Sequence, residues 1–217
     1  MLADYDEGYQ KDDSIQSEKY RQTAGKYDAF LKETQEELGV YDIFLITPEG
    51  DIVSTATHEA DFATNLISGP YKNSNLARGF KQVKDELLFV DFEHYEPSNE
   101  PCGFMLKRFA TNSSQRGRWA KGESVGVIAI QVPMAKINQI MLRRNGMGNT
   151  GETYLVGPDK LMRSDSFLDP VGHSMVASFK NNTTVDTEAV QQALAGKENQ
   201  KVILDYNGTL CYLPGMR

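Results

Sequence analysis

Two segments of this chain share one pattern: an extended stretch, a short turn that contains proline, and a second extended stretch. Residues 150–166 carry the clearer copy, in which alternating polar and apolar side chains lead into a turn at residues 158–160. Residues 41–57 repeat the pattern around a turn at residues 48–51. Such alternation predicts strands with one buried face, and turn residues between two such runs predict β-hairpins. One pattern used twice indicates two related modules in tandem.

The stretch between the two copies predicts the rest of a first module. Apolar side chains recur at helical spacing over residues 17–38, where Tyr20, Ala24, Tyr27 and Leu31 form one stripe. A second helix is expected at residues 74–87, with Leu76, Phe80, Val83 and Leu87 on its inner face. The predicted strands of this module lie at residues 41–47, 52–57, 88–95, 102–110 and 124–132.

The second module is predicted less completely. Pro133 suits the first turn of a short helix that runs to Arg144. A further helix is expected at residues 187–195, and strands at residues 201–206 and 209–213. By comparison with the first module, a closing strand is missing.

Four segments carry a resemblance to a known family: residues 62–66, 68–77, 91–98 and 150–166. Together they resemble the extracytoplasmic sensor region of bacterial methyl-accepting chemotaxis proteins, of the double Cache type, in which two PAS-like modules follow each other. The resemblance extends over roughly residues 20–210. It implies an α+β fold in which a long N-terminal helix precedes two PAS-like (Cache) modules with antiparallel sheets, the second truncated.

The resemblance also implies a division of the chain. The N-terminal helix occupies residues 1–40, and the membrane-distal Cache module occupies residues 41–133. A linker helix and a glycine turn follow at residues 134–151. The incomplete membrane-proximal module then takes residues 152–217.

The implied function is that of a sensor, which binds a small molecule outside the cytoplasm and passes the signal across the membrane. The resemblance places the whole receptor in the cell inner membrane, with this region on the periplasmic or extracellular side and with spanning segments outside this chain. It implies a homodimer through the N-terminal helix, along the stripe of Tyr20, Ala24, Tyr27 and Leu31. The same sensor on a histidine kinase or a cyclase is an alternative, and a soluble periplasmic binding protein or an enzyme is a second one.

Charge and hydropathy agree with that reading. The net charge is −7 and the sequence pI is about 5.1. Nucleic-acid binding needs a basic surface, so a nucleic-acid partner is not expected. No apolar run approaches the ~20 residues of a membrane span, and no signal peptide is recognisable.

The sequence contains no pattern typical of catalysis, of a metal or of a cofactor. Residues 146–151 match G-x-G-x-x-G, but a helix is predicted before them and a strand after them, the reverse of a dinucleotide site. His58, His94 and His173 lack metal-ligand spacing. Cys102 and Cys211 fall in different modules, either as free thiols or as a bridge. We therefore expect no enzymatic activity, no metal and no cofactor.

The ligand site is expected in the first module, between the sheet and the connection that bears the helix. Asp91 could neutralise an amine and Lys72 could meet an anion, while tyrosines offer a flat apolar face with a hydroxyl group. The alternative is that Asp91 and Lys72 are solvated or capping residues and that the aromatic side chains belong to the core. The candidate ligand-binding residues are Tyr71, Lys72, Asp91, Tyr95, Ser98, Phe104 and Gln131.

A second basic and aromatic group, Arg116, Arg118 and Trp119, suggests the arginine and tryptophan with which amino-acid sensors of this family hold a carboxylate. Here the group follows the fourth predicted strand, within a polar stretch at residues 111–123 that reads as an exposed loop. An amino-acid motif is therefore not assigned, and the identity of the ligand stays open.

Overall fold

The computed structural model describes residues 18–110, 124–197, 201–208 and 210–213. The chain forms two compact units, and the division between them falls between Pro133 and Met134. Within the described residues, no helix has the length and the apolar character needed to cross a membrane.

The described residues of the first unit form two helices and five strands. In chain order they are α1 (Glu18–Leu38), β1 (Asp42–Ile46), β2 (Ile52–Thr55), α2 (Asn75–Gln82), β3 (Leu88–Tyr95), β4 (Glu100–Ala110) and β5 (Ser124–Val132). The strands form one antiparallel sheet in the order β2-β1-β5-β4-β3. All five predicted strands are therefore present, close to their predicted bounds.

Helix α2 is shorter than its sequence pattern predicts. Ser74 caps its first turn by accepting a hydrogen bond from the backbone amide of Ala77. At Val83 the backbone turns extended, with φ −61° and ψ 132°. Val83 is still buried, but Leu87, which was predicted on the inner face, is 61% exposed. That part of the prediction was wrong because the helix ends before Leu87.

One face of the sheet packs against α2 and forms the larger core. Its fully buried side chains include Phe44 of β1, Leu76 of α2, and Tyr95, Phe104 and Leu106 of β3 and β4. Helix and sheet approach closely at Gly79, where a Cβ atom would overlap the side chains of Val90 and Leu106.

The other face of the sheet packs against α1. Tyr20 and Leu31 are 4% and 3% exposed, and Ala24 and Tyr27 contact the same cluster of β1 and β2 side chains. The Tyr20 hydroxyl also donates a 2.6 Å hydrogen bond to the carbonyl of Val53. The stripe predicted as a dimer seam is thus covered by the chain's own sheet, so the prediction that this stripe faces a second copy was wrong.

A loop covers the outer edge of β2. The amide of Ile52 donates to the carbonyl of Thr64, and the amide of Ala63 donates to the carbonyl of Ile52, at 2.9 and 3.1 Å. The amide of Leu66 donates to the carbonyl of Gly50 at 2.8 Å. These bonds hold the segment that follows β2 against the sheet.

In the second unit, the part of the chain that the structure describes forms three helices and a two-stranded antiparallel sheet. They are α3 (Met134–Met141), α4 (Met175–Asn181), α5 (Glu188–Leu194), β6 (Lys201–Leu204) and β7 (Leu210–Leu213). Met162, Val185 and Val190 form its small buried core. Helix α4 was not predicted from the sequence.

The hairpin predicted at residues 150–166 forms a single bridge, between Val156 and Met162, and no ladder. Two backbone hydrogen bonds join the two runs, from Gly157 to Leu161 and from Arg163 to Leu155, at 2.9 and 2.7 Å, but serine side chains take other amides of this region. The amide of Leu155 donates to Ser164 Oγ at 2.9 Å, and the amide of Met162 donates to Ser178 Oγ at 3.1 Å. Hydroxyl groups that accept from backbone amides compete with regular pairing. The prediction of two strands was wrong for this reason.

Candidate functional site

Polar side chains that are buried or half-buried lie together at one end of the sheet in the first unit. We call this group the polar cluster; its members are Asp42, Glu59, Asp61, Tyr95, Ser98 and Gln131. The register of the sheet places Asp42 of β1 opposite Gln131 of β5. The loop after β2 supplies Glu59 and Asp61, and the end of β3 with its exit turn supplies Tyr95 and Ser98.

Asp61 and Tyr95 form the most buried pair of the polar cluster, and both are fully inaccessible. The Tyr95 hydroxyl donates to Asp61 Oδ2 at 2.5 Å, and the Tyr95 ring packs edge-on against Phe104. Burial raises the pKa of Asp61 to about 6, and the neighbouring charges of Asp42 and Glu59 act in the same direction. Burial also raises the pKa of Tyr95, so its hydroxyl stays protonated and remains a donor.

Glu59 joins the polar cluster to the surface. It accepts hydrogen bonds from the hydroxyls of Tyr41 and Ser98, at 2.7 and 2.5 Å. Gln131 Nε2 lies 3.1 Å from Ser98 Oγ and 2.9 Å from Cys102 Sγ. The hydrogen bond to Glu59 is the main cause that raises the pKa of Tyr41 to about 12.

Asp42 is also fully buried, but its carboxylate is fully used by the chain. Its Oδ1 accepts from the amides of Ile43, Ala56 and Thr57, and its Oδ2 accepts from the Thr57 hydroxyl at 2.5 Å. Burial raises the pKa of Asp42 although these bonds act against that effect. Asp42 therefore holds the exit of β2 in place and has little capacity left for a ligand.

Two acceptors of the polar cluster have no partner. Asp61 Oδ1 and Gln131 Oε1 are buried and form no hydrogen bond. Within the described part of the chain, the lysine and arginine ion pairs go to other carboxylates, those of Glu18, Glu93, Asp159 and Asp186. A buried acceptor without a donor costs about 1–3 kcal/mol. The polar cluster thus lacks a hydrogen-bond donor, and a positively charged donor fits its net charge.

The structure brings four of the predicted ligand residues together and leaves others apart. Tyr95, Ser98 and Gln131 belong to the polar cluster, and Phe104 packs on Tyr95. Tyr71 is half-buried in the connection before α2, and its pKa is raised by burial and then by the charges of Glu96 and Asp61.

None of the hydrogen bonds described for the polar cluster involves Lys72 or Asp91. Lys72 is exposed. Asp91 lies in a bulge of β3, where its Oδ1 accepts from the amide of Phe92 at 2.8 Å. Its carbonyl accepts from the side-chain amide of Asn75. The structure therefore gives Asp91 a local capping contact.

Sequence reasoning missed Asp42, Glu59 and Asp61. For Asp42 a signal exists, because a carboxylate within the otherwise apolar run of β1 is unusual for a buried strand. Glu59 and Asp61 lie in a polar loop, where nothing in the sequence marks a side chain that turns inward.

The second unit contains an open groove of about 630 Å³ between α5 and the β6–β7 hairpin. Its polar groups are engaged: Asp186 pairs with Lys160 at 2.7 Å, and the Tyr206 hydroxyl donates to Glu152 at 2.5 Å. The groove is lined by His173, Thr184, Asp186, Thr187, Glu188, Val202, Ile203, Leu204, Asp205, Tyr206 and Leu210. It offers space but no unsatisfied buried polar atom.

The other residues considered in the sequence for metal binding, thiol chemistry or ligand binding are located as follows. Among the described residues, no three histidine, cysteine or acidic side chains are grouped to hold a metal ion. Cys102 is a buried thiol, and burial is the main cause that raises its pKa to about 12. Arg116, Arg118 and Trp119, and the side chain of Cys211, lie outside the described residues.

No protein-family model matches the sequence, and no curated protein matches it. Solved structures do match. The extracellular domain of rpHK1S-Z16, described as a histidine kinase, aligns with 86% of this chain and 69% of its own length, at 12% identity and a TM-score of 0.58. This likeness shows the fold. The predicted α+β fold is thereby confirmed.

Two further structures match at lower similarity. The sensor domain of the Vibrio cholerae histidine kinase DctB gives 14% identity and a TM-score of 0.41, over 65% of this chain. The ligand-binding domain of the Pseudomonas fluorescens chemoreceptor CtaA, in complex with L-serine, gives 13% identity and a TM-score of 0.44, over 72% of this chain. This chain spans 50% of the DctB domain and 61% of the CtaA domain.

Proposed function

We propose that this chain is the ligand-binding region of a transmembrane sensor and that the polar cluster holds a positively charged group of its ligand. The observation that carries the proposal is the buried Asp61 Oδ1, a carboxylate oxygen without a donor beside the carboxylates of Asp42 and Glu59. The fold supports a sensor, because it matches the extracellular domain of rpHK1S-Z16.

The chemistry of the polar cluster favours a protonated amine. Such a group supplies several N–H donors and a positive charge, and both are what Asp61 lacks. A hydrogen bond to a charged group contributes about 1.5–3 kcal/mol, or roughly 10- to 150-fold in affinity. Tyr95 and Phe104 offer aromatic surface beside the charge. Asp61 therefore takes the role that the sequence suggested for Asp91.

Entry to the polar cluster is through the loop after β2. Glu59, Phe62, Ala63 and Thr64 are only half-buried, whereas Asp61 between them is fully buried. A ligand that reaches Asp61 must open this loop as it enters, and the loop can close again once the ligand is bound. Binding is thus linked to a movement of the chain, as a sensor requires.

The proposal extends to the assembly of the receptor. We expect membrane-spanning segments outside this chain and a second copy along α1. Since the stripe of Tyr20 and Leu31 is buried, the second copy would meet the apolar side chains of α1 that the sheet leaves exposed. Phe30, on the side of the stripe, and Leu38, at the end of the helix, are 57% and 55% exposed. The output domain is that of a methyl-accepting chemotaxis protein, or alternatively of a histidine kinase, and the chain itself has no catalytic role.

Paired compounds test the site. Butylamine and putrescine are compared with butyrate and succinate, which share their carbon skeletons, by calorimetry and by thermal stability. An amine at 100 times its dissociation constant adds ~2.7 kcal/mol of stability. We expect binding of an amine, loss of that binding in Asp61→Asn, and retention of it in Asp91→Asn. Carboxylates that bind in preference to amines, or binding that Asp91→Asn alone abolishes, would contradict the assignment.

A further inference from the structure

One short segment touches both the polar cluster and α1. Residues 58–63, which we call the coupling segment, carry Asp61 and Phe62 side by side. Asp61 turns inward to the Tyr95 hydroxyl at 2.5 Å. The Phe62 ring turns the other way and packs against Tyr20 of α1, with ring centroids 6.5 Å apart. Of these two adjacent residues, Asp61 therefore faces the proposed ligand site and Phe62 faces α1.

The coupling segment begins and ends in strained backbone. His58 and Ala63 have φ values of 54° and 60°, in the left-handed region that side chains other than glycine rarely adopt. Such conformations persist only where surrounding contacts hold them, and they are typical of switch regions. Two such residues stand at the two ends of one six-residue segment. This indicates that contacts with the rest of the fold determine the backbone conformation of the segment.

The sequence on either side of the coupling segment is fixed. Asp42 holds the amides of Ala56 and Thr57, and Thr64 pairs with Ile52 of β2. Both flanks are held by the sheet, and Asp61 and Phe62 share a peptide bond, so a movement of one changes the position of the other. A displacement of Asp61 therefore reaches Phe62 directly.

On the other side, α1 has specific contacts with the same region. The Tyr20 hydroxyl bonds to the carbonyl of Val53 in β2 at 2.6 Å, and the His58 ring stacks on Phe62 with centroids 4.4 Å apart. Tyr20 is thus in contact with both the strand before the coupling segment and the aromatic side chain within it.

We propose that the coupling segment transmits the charge state of Asp61 to α1. With Asp61 ionised and its Oδ1 without a donor, the carboxylates of Asp42 and Glu59 repel it and keep the coupling segment from its closest packing. Neutralisation of that charge removes the repulsion, so Phe62 packs more closely on Tyr20 and α1 becomes less mobile. This inference rests on the proposed function for its meaning, since there the neutralising group is a bound amine.

Hydrogen exchange of the complete chain tests the connection without any ligand. The probe is Asp61→Asn, which removes the charge and retains the shape. Allosteric couplings are typically 5- to 150-fold. We expect the amides of α1 to exchange at least fivefold more slowly than in the wild-type chain, relative to the amides of β4 and β5. Asp91→Asn, a neutralised carboxylate on β3, is the matched control and should leave α1 unchanged.

Changes at Phe62 identify the route. In the background of Phe62→Leu, which retains a buried apolar side chain, Asp61→Asn should lose most of its effect on α1. An effect of full size in that background would overturn the assignment to the coupling segment, and no effect of Asp61→Asn on α1 would overturn the connection itself. Because no ligand is used, a failed amine screen leaves this result intact, and a failed exchange experiment leaves the amine site intact.

Discussion

Replacement of Asp61 by asparagine should stabilise the first unit at neutral pH. Asp61 is fully buried, has one unpartnered oxygen and lies near two other carboxylates. Its pKa rises from an ordinary 3.8 to about 6 in the folded chain. A tenfold change in proton affinity corresponds to ~1.4 kcal/mol, so the ionised carboxylate costs roughly 3 kcal/mol above pH 7.

The net gain is close to that cost. The pKa of about 6 already includes the Tyr95 hydrogen bond, which favours the ionised carboxylate and so lowers the pKa of Asp61. We therefore expect Asp61→Asn to raise the free energy of unfolding by about 2–3 kcal/mol at pH 7.5.

The pH dependence of that gain follows from the sign of the pKa change. Between pH ~4 and ~6 the folded wild-type chain binds a proton at Asp61 that the unfolded chain has released, so its stability falls as the pH rises. The difference in free energy of unfolding between variant and wild type should be small below pH 4, grow between pH ~4 and ~6, and level off above pH 7. Urea unfolding followed by circular dichroism from pH 4 to pH 8 measures it. A variant less stable than the wild type at pH 7.5, or a difference that does not change with pH, would refute the reasoning.

Two further substitutions test contacts away from the polar cluster. Asn75 is buried and donates to the carbonyls of Asp91 and Cys102, so Asn75→Ala removes two hydrogen bonds between α2 and the sheet. It should lower the free energy of unfolding by about 2–4 kcal/mol, as measured by urea titration beside the exposed control Asn73→Ala. Gly157→Ala would place a Cβ atom inside the buried guanidinium group of Arg163. It should lower the free energy of unfolding by about 1–2 kcal/mol in the same titration. Gly208→Ala has open space around its Cβ atom and tests only the positive φ.

The sequence predicted the first unit better than the second for a physical reason. The strands of the first sheet, such as β5, are long apolar runs whose burial decides their conformation. In the second unit the extended run at residues 150–166 is short, and serine hydroxyls from Ser164 and Ser178 take the amides that a strand would pair. Helix α4 has only seven residues, too few for a periodic pattern.

The candidate site, like the fold, was only partly predictable from the sequence. Tyr95 and Gln131 could be predicted because strand alternation places them on the inner face. Asp61 could not, since its burial depends on the pairing of Ile52 with the loop and on the left-handed backbone of Ala63. A sequence pattern does not show that a loop covers the edge of a strand. Nor does it show that neighbouring contacts hold a residue in a strained backbone conformation.

The strand order has a consequence for how this chain reaches its fold. β1 pairs with β2 immediately, but its other neighbour is β5. Ile46 therefore meets Val127, and Asp42 meets Gln131, across eighty or more residues of intervening chain. Contacts between distant positions slow folding, because the entropy of closing the loop is lost before the pairing repays it. Until β5 has been synthesised, β1 presents an unpaired edge of buried residues. Chain stalled before residue 124 should therefore aggregate or bind chaperones, and the sheet should close in one late step as β5 inserts between β1 and β4.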